Sequence, residues 1–461
     1  MSRRDPMQVA VVGHTNTGKT SLLRTLARDS GFGEVSDRPA TTRGVAAIEL
    51  LAEDEPVLRC FDTPGLEDAV DLAGYLVPDG SPAEDPVSRI EAFVAGDHDA
   101  GRFEQEAKVL RQMLRVDAAL YVIDAREPVL AKHRAELRLL ADCGRPLLPV
   151  LNFVAAADAE PERWRAQLAR SGLHVLAEFD TVVFDLHAET RLFEKLAALI
   201  ETERPRIARL NAFRAEQRRA QIDDACHAIA QLLVDAAGAR RRLAAGADTG
   251  AAHAALRDQL CRIEQACVDR LLDTFAFELG AYRPPDLPLH EGRWVLDPFD
   301  PESARVLGIR TGSAAAAGGV AGFGVDALTG GLSLGAGTLV GAGVGALVGA
   351  GENVGRDWLD RLRGRQTIVT DTTTLAVLAT RQTQLLLALL RRGHASQQAL
   401  APVTADGWPS DAVRRAVLRA RAHPEWSRLN PEHDAGAAAR AVRSLAAPLR
   451  DAVADAAPAP R

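Results

Sequence analysis

Short apolar runs alternate with amphipathic stretches through the N-terminal part of the chain. Residues 8–13, Gln-Val-Ala-Val-Val-Gly, have the apolar character of a strand covered on both faces, and they break at a glycine. Similar runs occupy 46–51, 57–61 before Asp62, 118–123 before Asp124, 146–151 before Asn152 and 181–184 before Asp185. Between them, 21–27, 104–115, 131–143, 161–171 and 190–202 read as helices. Strand and helix in alternation predict an α/β fold with a doubly wound, mostly parallel sheet. Its ligand site is expected at the carboxyl ends of the strands.

Beyond residue 205 the pattern changes. Residues 206–285 predict long helices without strands, clearest at 214–233 and 254–272. Pro284, Pro285 and Pro288 then mark a linker. A leucine-rich helix is predicted at 366–392, with shorter ones at 411–421 and 437–447, the second stopped by Pro448. The chain therefore divides into an α/β domain, 1–205, and a mainly α-helical domain, 206–461.

One segment of the helical half stands apart. Between Arg310 and Glu352 the only charged residue is Asp326. Gly337, Gly341, Gly345 and Gly349 recur at intervals of four, and on a helix they would form a smooth groove that lets another helix approach. Residues 332–351 are long enough to cross a hydrocarbon core, with Asp326, Gly330 and Gly331 as the turn of a hairpin. Yet glycine costs a helix about 1 kcal/mol per position against alanine. Two readings stand for 311–351: a glycine-zipper hairpin that associates with a membrane, or a tightly packed or flexible connector.

Composition narrows the setting. A chain of 461 residues with 47% apolar and 25% charged residues suits two or three globular domains. The net charge of −7 gives no broad basic field and argues against a nucleic-acid partner. Five cysteines without a C-x-x-C spacing argue against a disulfide framework and a zinc site. No apolar run for a signal peptide precedes the first strand, so the expected location is the cytoplasm, extending to the inner face of the plasma membrane if 311–351 inserts. The only lysines are Lys19, Lys108, Lys132 and Lys195, which makes the position of Lys19 informative.

Lys19 lies in Gly13-His14-Thr15-Asn16-Thr17-Gly18-Lys19-Thr20, followed by Ser21, between a predicted strand and a predicted helix. Glycines there let successive backbone N–H groups converge on phosphates, and the helix adds its N-terminal dipole. Lys19 would reach the β- and γ-phosphates of a nucleotide, and the Thr20 hydroxyl would bind Mg²⁺. Downstream, Asp62-Thr63-Pro64-Gly65 follows a strand: Asp62 would hold Mg²⁺ through water, and the Gly65 N–H would meet the γ-phosphate.

The two motifs together resemble the Era/TrmE-like P-loop GTPases of the translation-factor class. That resemblance implies a Mg²⁺-dependent GTPase that binds GTP and GDP. It also makes Asn16 a candidate K⁺ ligand, standing beside the alternative that Asn16 only shapes the loop. Arg38-Pro39-Ala40-Thr41-Thr42-Arg43-Gly44 is similar to the family's switch I, with Thr42 as the threonine that closes on Mg²⁺ and Thr41 as runner-up. Lys19, Thr42 and Gly65 are then the catalytic candidates. Leu66 stands where Ras-like GTPases carry a water-orienting glutamine, so hydrolysis should be slow unless a partner, a cation or dimerisation completes the site.

The family's base-reading N-K-x-D motif is broken. Asn152 is present, but Phe153 replaces the lysine and Ala155 stands in the aspartate's place. Asp158 is the candidate replacement, with a helix cap before Pro161 as its other reading. A backbone N–H near Ala188 is the candidate contact to the base oxygen. Residues 65–115 are longer than the family's switch II, which suggests a lid or a partner-binding insertion. The whole order also resembles a bacterial group whose C-terminal part is the domain of unknown function numbered 3482, through Leu151-Asn152-Phe153, Gly172-Leu173-His174 and Glu178-Phe179-Asp180. The expected function is a GTP-dependent regulatory switch read by the helical half, with a protein partner or a homodimer. The competing expectations are a ribosome- or RNA-associated GTPase and a nucleotide-binding scaffold with little turnover.

Overall fold

The computed structural model describes residues 5–27, 46–77, 85–96, 101–181, 186–244, 247–275, 289–290, 293–307, 309, 366–390 and 407–456. Thr41, Thr42, Asp185 and the whole of 311–351 lie outside the described residues. The boundary between two compact units falls at Gln217/Arg218.

In the first unit the apolar runs become strands β1 (Met7–Val12), β2 (Ala46–Ala52), β3 (Glu55–Asp62), β4 (Ala118–Asp124), β5 (Leu147–Asn152) and β6 (Ala177–Glu178). They form one sheet in the order β2-β3-β1-β4-β5-β6, parallel throughout except for the antiparallel β2–β3 pair. Glu53 and Asp54 join β2 to β3 with both φ angles positive, 52° and 63°, as a two-residue hairpin of right-handed twist requires. The register brings Val11 beside Asp62 and Asp124 beside Asn152, so the polar residues that close the runs meet at the carboxyl ends of the strands.

Helices cover both faces. They are α1 (Lys19–Ala27), α2 (Ala69–Leu76), α3 (Pro86–Ala95), α4 (Glu104–Arg115), α5 (Ala131–Ala141), α6 (Pro161–Arg170), α7 (Leu186–Leu199) and the start of α8 (Arg204–Gly238). Alternate strand residues explain the two layers. Val9, Val11, Leu120 and Val122 pack with Leu22 of α1, Phe193 of α7 and Leu210 of α8. Ala10, Val12, Tyr121 and Ile123 pack with Leu72 of α2, Met113 of α4, Leu140 of α5 and Trp164 of α6. The fold is the expected doubly wound, mostly parallel α/β sheet.

The sixth strand lies at Ala177–Glu178, paired with β5; of the predicted run 181–184 only Thr181 is described, in a turn, and 182–184 lie outside the described residues. As an edge strand β6 needs protection, and Lys195 supplies it by donating to the Leu176 carbonyl at 2.6 Å. The long stretch after Gly65 holds α2 and α3.

The second unit is mainly helical, with α9 (Thr249–Thr274), α10 (Pro301–Val306), α11 (Thr372–Leu390), α12 (Asp411–Arg421) and α13 (Ala435–Ala456) joining the rest of α8. It also contains strands that the sequence pattern does not predict. Arg240–Leu243 (β7) pairs antiparallel with Gln366–Val369 (β10), and Leu289–His290 (β8) pairs with Arg293–Trp294 (β9). Residues 366–369 are thus a strand, where Thr367, Ile368 and Val369 suit a pleated ladder better than a helical turn. Helix α13 runs through Pro448 instead of stopping before it. Its inward row, Ala438, Val442, Leu445, Leu449 and Val453, stays buried across the proline, and that packing outweighs the lost backbone bond.

Helix α11 is long and apolar enough to cross a membrane, yet 83% of its most apolar window is buried within the protein, as in a central core helix. Two of its polar residues share one partner in α9. Arg381 donates to Glu264 Oε2 of α9 at 3.1 Å, and Gln382 donates to Glu264 Oε1 at 3.0 Å.

Candidate functional site

The glycines of the phosphate loop sit where no side chain fits. A Cβ on Gly13, at φ 145°, would lie 2.4 Å from the Val122 carbonyl oxygen. One on Gly18, at φ 91°, would lie 2.3 Å from Asn152 Nδ2. Both positions therefore need glycine for backbone conformation and for close approach. Asn16, exposed between them, also takes a left-handed φ of 63°.

Lys19 opens α1 and folds back over the loop, donating to the carbonyls of Gly13 at 3.1 Å and His14 at 2.7 Å. Burial lowers its pKa to about 8, against the opposing pull of Asp62, Glu136 and Glu67. A buried ammonium held only by carbonyl dipoles is poised to take an anion. Thr20, the next residue, donates to Asp62 Oδ2 at 2.6 Å. Asp62 ends β3 almost fully buried, and its other oxygen, Oδ1, has no hydrogen-bond partner. Burial pushes the Asp62 carboxyl upward, opposed by the Thr20 bond and by Lys19. One hydroxyl and one carboxylate with an unmatched oxygen form a hard-oxygen donor pair that fits Mg²⁺. Among the described residues no cluster of three or more His, Cys, Asp or Glu could hold a metal alone, so an ion here would depend on ligand phosphates as well.

The segment after Asp62 is fastened to the phosphate loop. Thr63 donates to the Val11 carbonyl at 2.7 Å. Gly65 passes so close to Thr15 that an added Cβ would meet its Oγ1 at 2.3 Å. Thr15 in turn donates to Glu67 Oε1 at 2.8 Å, and Thr17 to the His14 carbonyl at 3.0 Å. The Leu66 amide donates to the Gly13 carbonyl at 3.2 Å.

Around this segment lie three groups that were not singled out from the sequence: Glu136, Tyr121 and Glu106. His14 Nδ1 lies 2.6 Å from the Leu66 carbonyl and 2.9 Å from Glu136 Oε1. Both are acceptors, so Nδ1 carries the proton. Fully buried Glu136 also accepts from the Tyr121 hydroxyl at 2.7 Å; burial first, then Glu136, raises that hydroxyl's pKa well above its ordinary value. Glu106 of α4 accepts the amides of both Glu67 and Asp68 at 3.0 Å, where the chain turns into α2. The one sequence signal for this network is a tyrosine inside the otherwise aliphatic β4.

On the base side, Asn152 is fully buried and joins three segments. Its Nδ2 donates to the Thr17 carbonyl at 2.9 Å, and its Oδ1 accepts the Phe153 and Thr181 amides, each at 2.9 Å. Phe153 holds a left-handed φ of 59°, a strained conformation for an aromatic residue. Its ring lies under the Arg126 guanidinium at 4.0 Å, and Arg126 is fixed by Asp124 at 2.9 and 2.7 Å. Asp158 is exposed, whereas Asp180 is half-buried and accepts the Ala155 amide at 3.3 Å. Ala188 lies in the first turn of α7 with its side chain in the core, and Ser21 follows Thr20 on α1. Lys19, Thr20, Asp62 and Gly65 are thus brought together with the phosphate loop, and Asn152 borders them.

Residues 165–446 match the family described as "Domain of unknown function (DUF3482)", and residues 8–153 match the "50S ribosome-binding GTPase" family. The tRNA modification GTPase MnmE of Alkalilimnicola ehrlichii is 32% identical over 163 residues, 35% of this chain and 29% of that protein. The probable GTP-binding protein EngB of an Anaeromyxobacter species is 29% identical over 143 residues, 31% of this chain and 57% of that protein. The chain thus spans less than a third of the first relative and a little over half of the second. A solved structure of an Aquifex aeolicus Era variant bound to GDP.AlF4- aligns at 17% identity over 39% of this chain and 52% of that one, with a TM-score of 0.28.

Proposed function

This chain belongs to the DUF3482 family and carries an Era/TrmE-like P-loop GTPase domain, and from that premise we propose that it is a regulatory switch driven by GTP binding and hydrolysis. The observation that carries the reading is the junction of Lys19, Thr20 and Asp62: a buried cation beside a hydroxyl–carboxylate pair with an unmatched oxygen. Lys19 would take the β- and γ-phosphates, and the Gly65 amide would face the γ-phosphate. Thr20 and Asp62 would hold Mg²⁺, which supplies positive charge at the phosphates as the terminal group leaves. Leu66 is fully buried and offers no group to orient water, which supports slow intrinsic turnover. Thr42 remains the proposed switch I threonine and Asn16 the proposed K⁺ ligand. The helical half would read the nucleotide state in the cytoplasm, with 311–351 as its proposed route to a membrane.

The test is binding of fluorescent GDP and ADP with Mg²⁺, in KCl and in NaCl, alongside phosphate release from GTP. Tight Mg²⁺-dependent GDP binding with measurable release supports the switch. Nucleotide binding without turnover would leave a scaffold, and absence of binding would remove the reading.

A further inference from the structure

The N-K-x-D aspartate is missing from this chain, and the fold brings another carboxylate to its place. Asn152 fixes where a base would lie, because its side chain ties the phosphate loop at Thr17 to the loops after β5 and after β6. Three residues beyond Asn152, Ala155 holds the position of the absent aspartate and has no polar side chain. Its backbone amide is bonded instead to Asp180 Oδ2, 25 residues away in sequence. We propose that Asp180 is the base-reading residue, and that it selects nucleotides whose purine edge presents two donors, a ring N–H beside an exocyclic amine, as guanine does. This assignment rests on the nucleotide-switch reading above.

The surroundings favour Asp180 over Asp158. Asp180 is half-buried and adjoins Thr181, whose amide bonds Asn152. Asp158 is exposed and lies three residues beyond Ala155 in the loop after β5. A carboxylate oxygen has two lone pairs, so Oδ2 can keep the Ala155 amide and still accept a proton donor from a base. The Arg126 guanidinium, fixed by Asp124 and stacked on Phe153, places positive charge near Asp180. Adenine presents an unprotonated ring nitrogen on the same edge, which a carboxylate repels.

The experiment uses the full chain and fluorescent GDP, ADP and xanthosine diphosphate with Mg²⁺. Xanthine carries a carbonyl where guanine carries the amine, so a carboxamide at position 180 would complement it. Asp180→Asn should weaken GDP roughly 10- to 100-fold, the worth of one charge-assisted hydrogen bond, and should gain xanthosine diphosphate by a similar factor. Asp158→Asn should leave GDP affinity unchanged. In an Asp180→Ala background, Ala155→Asp should restore GDP preference, a rescue that a merely structural role for Asp180 would not give. Unchanged GDP affinity in Asp180→Asn, or equal binding of GDP and ADP by the wild type, overturns the assignment while leaving nucleotide binding intact. Loss of all three nucleotides in Asp180→Asn without the Ala155→Asp rescue also overturns it. A wild type that binds none of them overturns the switch reading too.

Discussion

The Thr20 hydroxyl donates to Asp62 Oδ2 at 2.6 Å, joining the start of α1 to the end of β3 across 42 positions of sequence. The pair leaves Asp62 Oδ1 buried without a partner, in a carboxyl whose pKa burial raises. Two effects of opposite sign should follow from one substitution. Asp62→Asn removes a poorly solvated charge, so the nucleotide-free protein should unfold about 2–4 °C higher, the shift that about 1 kcal/mol gives a unit of this size. The same variant should lose at least about tenfold of the Mg²⁺-dependent gain in nucleotide affinity. Thermal scans with and without Mg²⁺–GDP read both.

Lys19 should show itself through protons. Its pKa of about 8 lies below the ordinary 10.5, so the unfolded chain binds more protons between those values and stability contributed by this group rises with pH across that window. A bound polyphosphate restores the charged form, so nucleotide binding at pH 8 should take up about half a proton. Calorimetry in two buffers of different ionisation enthalpy measures that uptake, and affinity should fall as pH rises above 8. Lys19→Ala should abolish tight binding and the uptake together.

Glu106 holds the entry to α2 by accepting two amides from a nearly fully buried position. Glu106→Ala leaves both donors unmatched and should cost about 1.5–3 kcal/mol. Amide hydrogen exchange should quicken first in 66–76, before any change in the sheet strands.

In the second unit, burial pushes the Glu264 carboxyl up to about 7, opposed by Arg381. A folded pKa above the ordinary 4.5 means stability from this group is fully present below 4.5 and is lost as pH rises through 7. Glu264→Gln should therefore flatten the pH dependence of urea unfolding between 4.5 and 7, compared with wild type. Glu264→Ala strands a buried guanidinium and should cost about 3–5 kcal/mol above pH 7, where the wild-type pair is charged on both sides.

The sheet and the phosphate side of the site were legible because their signals are local. Buried strands announce themselves as apolar runs, and Asp62, Asn152 and the glycines of 13–18 follow from strand ends and backbone demands. What was not legible depends on distant partners. The ladder at 366–369 exists because an arginine-rich strand, Arg240–Leu243, pairs with it across the unit. Glu106 reaches Glu67 and Asp68, and Asp180 reaches Ala155, only once the sheet order is set. Pro448 misled in the other direction, since propensity predicts a stop where an apolar face carries α13 onward.

Leu66 is gripped at both of its backbone groups by consecutive residues of the phosphate loop, its amide by Gly13 and its carbonyl by His14. The imidazole proton is divided between that carbonyl and Glu136. A displacement of Leu66 by about 1 Å exceeds the reach of a hydrogen bond and hands the proton wholly to Glu136. The Tyr121–Glu136 bond extends the same network from the phosphate loop to β4 and α5.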